Sequence, residues 1–269
     1  MNILYVLIAG SVVFFAFQIN LWLGIGVVAL IIGFGIYHYI PAYYITKGNQ
    51  AFEAGNEDAA REWYKKAYDT GRSNVKTKSS YAYILLRTGY ADEAEKVLDP
   101  IIRVKGLDEQ KRNLAKQQRC MVYYRQGRLD EAIAEAEELY ENGYKTSNIY
   151  GMLGFFKQLR GDNINDILKI CEEGYDYNKE NRDILDNLAM CYYKLGRYED
   201  AERVSDELWN VSETFIEGCY HGAQIACALG KYDKAADYIK KISECRRTKM
   251  TTISEEEIEN LKRQIESHK

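Results

Sequence analysis

Charge is missing from the start of this chain. No Asp, Glu, Lys or Arg precedes Lys47, so all 40 acidic and all 36 basic residues lie at or beyond it. An uncharged, mostly apolar run of that length is excluded from a water-exposed surface and belongs in lipid. Paired cysteine motifs are missing too. Cys120, Cys171, Cys191, Cys219, Cys227 and Cys245 are irregularly spaced in segments that read as helices, with no Cys-x-x-Cys. They read as small buried apolar side chains in a reducing compartment. Histidine is scarce, with three in the chain. Cys219 and His221 point to different sides of a helix, so no metal site is expected. The acidic pairs Asp92-Glu93 and Asp130-Glu131 open helices and answer the helix dipole. With no nucleophile beside a base and no phosphate loop, neither an enzyme nor a cofactor is expected. A formal charge of -4 gives no field suited to nucleic acid. The expected partner is a protein or peptide.

What is present divides in two. Residues 1–40 read as a transmembrane hairpin, with apolar runs at about 3–17 and 21–40 separated by Gln18-Ile19-Asn20. Twenty helical residues cover roughly 30 Å of hydrocarbon, so the second run suffices and the first is slightly short. A cleaved signal peptide is the rival for the first run, but no basic residue follows Met1 and no small-x-small site precedes Gln18. Gly26, Ala29 and Gly33 share one helical face and are expected to form a helix-packing surface in the membrane, against the first span or another chain. Gly24-x-Gly26-x-x-Ala29 lacks a preceding strand and is discarded as a nucleotide fingerprint. Lys47, Arg61, Lys65 and Lys66 follow the second span while the turn has no cation, which places the repeats in the cytoplasm. Tyr37, Tyr39, Tyr43, Tyr44 and His38 fall at the expected interface. A bacterial inner membrane is the expected location.

Residues 41–245 repeat themselves. Gly55, Gly89, Gly127, Gly161, Gly196 and Gly230 are 34, 38, 34, 35 and 34 residues apart. Five positions after the glycine stand Ala60, Ala94, Ala132, Ala201 and Ala235, and seven before it Gly48, Ala82, Cys120, Gly154, Ala189 and Ala223. Glycine ends one helix and acidic residues open the next, as in Gly127-Arg-Leu-Asp-Glu-Ala132. A period near 34 signals stacked helical hairpins. The pattern resembles the tetratricopeptide repeat (TPR) family over about six units. The resemblance implies an all-α fold, a right-handed TPR-like α-solenoid after the hairpin, used as a protein-binding scaffold. Two intervals depart from it. The longest predicts an extra helical turn around Arg103 to Asn113, and the interval after Gly161 predicts one inserted residue, with Ile167 where alanine is expected. Pro100 predicts a kink in a second helix. Residues 246–269 read as a linker and a capping helix opened by a capping box at Ser254-Glu-Glu-Glu257 and ending near Ser267.

In the resembled family the first helix of each unit lines a concave groove. Carried onto this sequence, the groove positions hold Tyr83, Leu86, Arg87, Met121, Tyr124, Arg125, Phe155, Gln158, Met190, Tyr193 and Lys194. This aromatic and methionine-rich lining edged by cations is expected to suit an extended or helical peptide with some acidic character. Asp183, Asp186 and Glu217 make its far end acidic. The family's chaperone clamp is not supported: Asn49 matches one asparagine, but Ile45, Leu114 and Gln118 stand at basic positions. The alternatives to a recruiting scaffold are an assembly or quality-control factor for membrane proteins and a structural subunit of a membrane complex.

Overall fold

The structure is a computed structural model that describes residues 3–268, with side chains from Leu7 onward. Fourteen helices and no strand occur among the described residues. The chain divides into two compact units, residues 1–81 and 82–269. The boundary falls within α4 (Val75–Arg87).

The first unit holds α1 (Ile3–Ile19), α2 (Leu21–Glu53) and α3 (Glu57–Asp69). Asn20 separates the first two, its side chain accepting from the Trp22 amide at 2.8 Å and capping α2. The glycine that lets α1 and α2 approach is Gly24. A Cβ there would stand 2.3 Å from the Phe17 ring, whereas Gly26 and Gly33 have nothing within 4 Å and Ala29 is exposed. The expected packing of Gly26, Ala29 and Gly33 on the first span is therefore corrected. Those residues lie on a different side of α2 from Gly24.

Helix α2 runs 33 residues without interruption, about 50 Å at 1.5 Å per residue. The second apolar run and the first helix of the first repeat are one rod that passes through Pro41. Proline has no N–H for the carbonyl four residues back, here Tyr37. The Arg72 guanidinium donates to that carbonyl and lies 3.6 Å from the centre of the Tyr37 ring. A side chain just beyond α3 thus satisfies the acceptor that proline orphans. Beside it, Trp63 of α3 packs against Tyr43 and Tyr44 at 6.3 and 5.9 Å.

In the second unit the end of α4, from Ala82, leads into α5 (Ala91–Ile102), and the hairpins that follow are α6 (Glu109–Arg125) with α7 (Leu129–Glu141), and α8 (Ser147–Arg160) with α9 (Ile164–Tyr177). They continue with α10 (Arg182–Lys194) and α11 (Tyr198–Val211), then α12 (Ile216–Ala228) and α13 (Tyr232–Ile242). The turns share one design. Gly127, for example, has φ +76°, a left-handed conformation cheap only for glycine. The next residue, Arg128, closes the helix by donating to Tyr123 O at 2.8 Å and also serves as N-cap of α7. After Gly161 these two tasks are split. Asp162 donates back to Lys157 O while Asn163 caps α9, which accounts for the inserted residue. The extra turn of the longest interval lies at the start of α6, which has 17 residues against 13 in α10. Pro100 occupies the last turn of α5, which stops at Ile102.

The recurring small residues sit where helices cross. Ala94, Ala132, Ala201 and Ala235 are fully buried, and Ile167 takes the equivalent place at 1% exposure. At Gly154 a Cβ would stand 3.0 Å from both Cys171 Sγ and Asn187 Nδ2. After the last hairpin, α14 (Glu255–Glu266) opens with the capping box of Ser254 and Glu257. Its buried Ile258, Leu261 and Ile265 pack onto Ile216, Cys219, Tyr238 and Ile242, so α14 covers the apolar end of the stack as a terminal cap must.

Candidate functional site: the inner face of the helical stack

Within the second unit, α8 contacts α6 and α10, and α10 contacts α12, besides their hairpin partners. First helices that touch their successors line the inside of the curve. Their inward side chains form the candidate site.

On α6 the Tyr124 ring lies 5.3 Å edge-on from Phe155 and 5.2 Å from Phe156. Burial pushes its phenol up, with Arg125 opposing and the Glu217 carboxylate assisting. Met121, Tyr124 and Phe155 are half-buried against the core of α7 and α8, so part of each side chain fills contacts between repeats. Gln158 donates to Asn187 O at 3.1 Å, tying α8 to α10. Met190 and Tyr193 are half-exposed and Lys194 exposed, with the Tyr193 ring 5.6 Å from Tyr198. Tyr83, 42% exposed, accepts from Arg87 at 3.2 Å, and Arg125 is half-buried. Leu86 corrects the expectation. Ile84, Leu85 and Leu86 are 3, 2 and 4% exposed, and three successive buried residues about 100° apart engage more than half the circumference of α4. Leu86 therefore lies in the core.

The far end is acidic and more connected than its residue types implied. His221 Nδ1 lies 2.8 Å from Asp186 Oδ1. Burial opposes the imidazolium, but Asp186 outweighs it, helped by Glu217 and opposed by Lys194, so the pKa stands above its ordinary value. Asp183 keeps half of its side chain exposed, yet partial desolvation raises its carboxyl, with Arg182 opposing and Asp186 and Glu217 assisting. The His221 and Asp186 pair escaped the sequence reading. The signal was the period itself, since the two are 35 residues apart, as Ser205 and Tyr238 are 33 apart. Residues one repeat apart sit at equivalent places on adjacent hairpins.

A second missed feature is the connection from α13 to α14. Repeats elsewhere are joined by short links, such as 178–181 and 212–215, but residues 243–254 intervene here. This strap reaches over the inner face. Thr252 donates to Glu217 Oε1 through its amide at 2.8 Å and its hydroxyl at 3.2 Å. The Lys249 stem lies 3.8 Å from where a Gly89 Cβ would be, at the α4–α5 turn. Thr248 and Thr251 fold the strap on itself, the Thr248 amide donating to Thr251 Oγ1 at 3.2 Å. Arg247 closes it onto Ile253 O at 2.6 Å and Glu255 at 2.8 Å.

No group of three His, Cys, Asp or Glu side chains arranged to hold a metal occurs among the described residues. Two family profiles described as tetratricopeptide repeat match the chain, at residues 182–214, which span α10 and α11, and at residues 118–138. No curated protein matches. Among solved structures, a tetratricopeptide repeat protein from Parabacteroides merdae is 17% identical with a TM-score of 0.57, covering 84% of this chain and 86% of its own. Pseudomonas aeruginosa pilF is 16% identical with a TM-score of 0.60, covering 85% and 99%. A monomeric mutant of IFIT1, solved with Gppp-AAAA, is 13% identical with a TM-score of 0.62, covering 77% of this chain and 51% of its own. With turn glycines, small crossing residues and helical stack all in agreement, this chain has the fold of tetratricopeptide repeat proteins and carries matched repeats at residues 118–138 and 182–214.

Proposed function

We propose that the chain is a membrane-anchored interaction scaffold that captures a protein segment on the inner face of its repeats. The observation that carries this reading is the inner face itself: Met121, Tyr124, Phe155, Met190 and Tyr193 remain part-exposed on successive inner helices. Rigid aromatics and adaptable methionines bind peptides at low entropic cost. The carboxylates of Asp183, Asp186 and Glu217 at one end disfavour a phosphate backbone and favour a protein ligand.

The anchoring half of the proposal rests on α2, the described helix long and apolar enough to cross a membrane. Trp22, Leu30 and Phe34 on it are 77, 75 and 64% exposed, a surface that lipid would cover. The cations after α2 and the six free thiols support a cytoplasmic position for the repeats, at a bacterial inner membrane. Tethering raises the local concentration of the groove near other membrane proteins.

The test is a crosslinking pull-down from membranes comparing the intact chain with Met121→Ala/Met190→Ala/Tyr193→Ala. Loss of a discrete partner with unchanged melting supports groove capture. Retention of every partner refutes it and transfers the binding to the hairpin.

A further inference from the structure

The strap touches the stack at two places, Glu217 of α12 and the turn beside Gly89. It leaves the last hairpin, reaches the α4–α5 turn beside Gly89, and returns to Glu217. A link between α13 and α14 needs no such excursion, since Phe215 and its three predecessors suffice to join α11 to α12. Its composition is also particular: Arg246-Arg247-Thr248-Lys249-Met250-Thr251-Thr252 carries three cations and no acid, and it approaches the acidic end of the inner face. Glu217 receives both the amide and the hydroxyl of Thr252, a recognition any extended chain with a threonine or serine in register reproduces.

We propose that residues 246–253 are a resident occupant of the groove, and that the partner segment which displaces them is extended, cationic and hydroxyl-rich. The inference rests on the groove reading above and names its ligand class. It reverses the acidic character expected from Arg87, Arg125 and Lys194, because the segment whose Thr252 meets Glu217 carries Arg246, Arg247 and Lys249 and no acid. The strap is a competitor held at high local concentration. A short tether supplies about millimolar effective concentration, so an occupant of roughly 0.1 mM intrinsic affinity fills the site about ten to one. It then weakens a competing segment about tenfold.

The probe is a labelled synthetic peptide with the sequence of residues 246–254, titrated by fluorescence anisotropy into the detergent-solubilised full chain. Replacing residues 246–252 by Gly and Ser at equal length, with α14 retained, is expected to tighten binding about tenfold. Glu217→Gln in that background is expected to lose the gain, and a peptide with glutamate at the three cationic positions is expected not to bind. The unaltered chain supplies an independent readout. Its Thr252 amide is expected to be protected from hydrogen exchange and to lose protection as peptide is added. Equal affinity with and without the strap, tighter binding of the acidic peptide, or peptide binding that leaves Thr252 protected would each overturn the proposal. Any of these leaves groove capture to be judged by the pull-down, so the two readings fail separately.

Discussion

Arg119 offers the most demanding test of how the stack is held. It lies on α6 with its side chain 16% exposed, facing Glu135 of α7, which is 7% exposed, and Asp99 of α5. Its Nε and Nη2 grip both Glu135 oxygens at 3.0 and 2.5 Å, and Nη1 reaches Asp99 at 2.8 Å. Burial opposes the guanidinium charge, but the bonds to Glu135 and Asp99 outweigh it and hold the group more firmly protonated than usual. Arg119→Met would leave the Glu135 carboxylate buried without its cation. Breaking a buried pair costs about 3–5 kcal/mol, and the lower end applies because Arg119 and Asp99 retain some solvent. At 1.4 kcal/mol per decade, about 3 kcal/mol is roughly a hundredfold rise in local opening. Because repeats answer mainly to their neighbours, hydrogen exchange resolved by mass spectrometry should show it in α6 and α7 and leave α12 and α13 unchanged. Arg119→Met with Glu135→Leu should recover most of the loss, because the buried carboxylate leaves with its cation while Asp99 keeps Arg103 at 2.8 Å. An increase below about threefold in the single variant, or a double variant no better than the single, would refute the reasoning.

Other consequences follow from the same geometry. Gly24→Leu should lower the melting temperature of the detergent-solubilised chain by forcing Phe17 aside, an overpacking cost of about 1–3 kcal/mol; Gly33→Leu should leave it unchanged, and equal effects would contradict the placement of α1. Maleimide should label Cys227 and Cys245 quickly in the folded chain and the other four thiols only in denaturant, since Cys120, Cys171, Cys191 and Cys219 are buried and burial pushes the Cys219 thiol up to about 12; rapid labelling of Cys171 or Cys191 would contradict the packing. His221 has a raised folded pKa, so its contribution to stability should be complete below its ordinary value of 6.5 and lost as pH rises through the folded value. Asp186 and Glu217 favour that charge, Lys194 opposes it, and Glu257 on α14 senses the same ring. Asp186→Asn should lower the NMR titration midpoint of His221 and flatten the dependence.

The fold was legible because it is written locally and repeatedly. Gly127 needs a left-handed backbone and Ala132 needs to be small, and both demands recur with every hairpin. Even the exceptions were readable: the longer α6 and the residue inserted after Gly161 each appear as an altered interval. The pairings were harder to read. Arg119 meets Glu135 16 residues later and Asp99 20 residues earlier, and Arg72 meets the carbonyl of Tyr37, contacts fixed by packing rather than pattern. Gly24 and Gly26 are indistinguishable by composition, and only the rotation of α2 against Phe17 separates them. Leu86 was misplaced because position within a repeat does not reveal how much of the helix circumference is buried. The strap was invisible because a cationic linker in sequence carries no mark of where it lies.

Site-specific photo-crosslinking in intact membranes tests the central claim most directly. A photoreactive residue at Met121 or Met190 on the inner face should capture a discrete protein, while one at Lys169 on the outer surface of α9, or at Ile31 on α2, should not capture the same protein. Capture of that protein from Lys169 or Ile31, with none from Met121 or Met190, would contradict recognition in the groove.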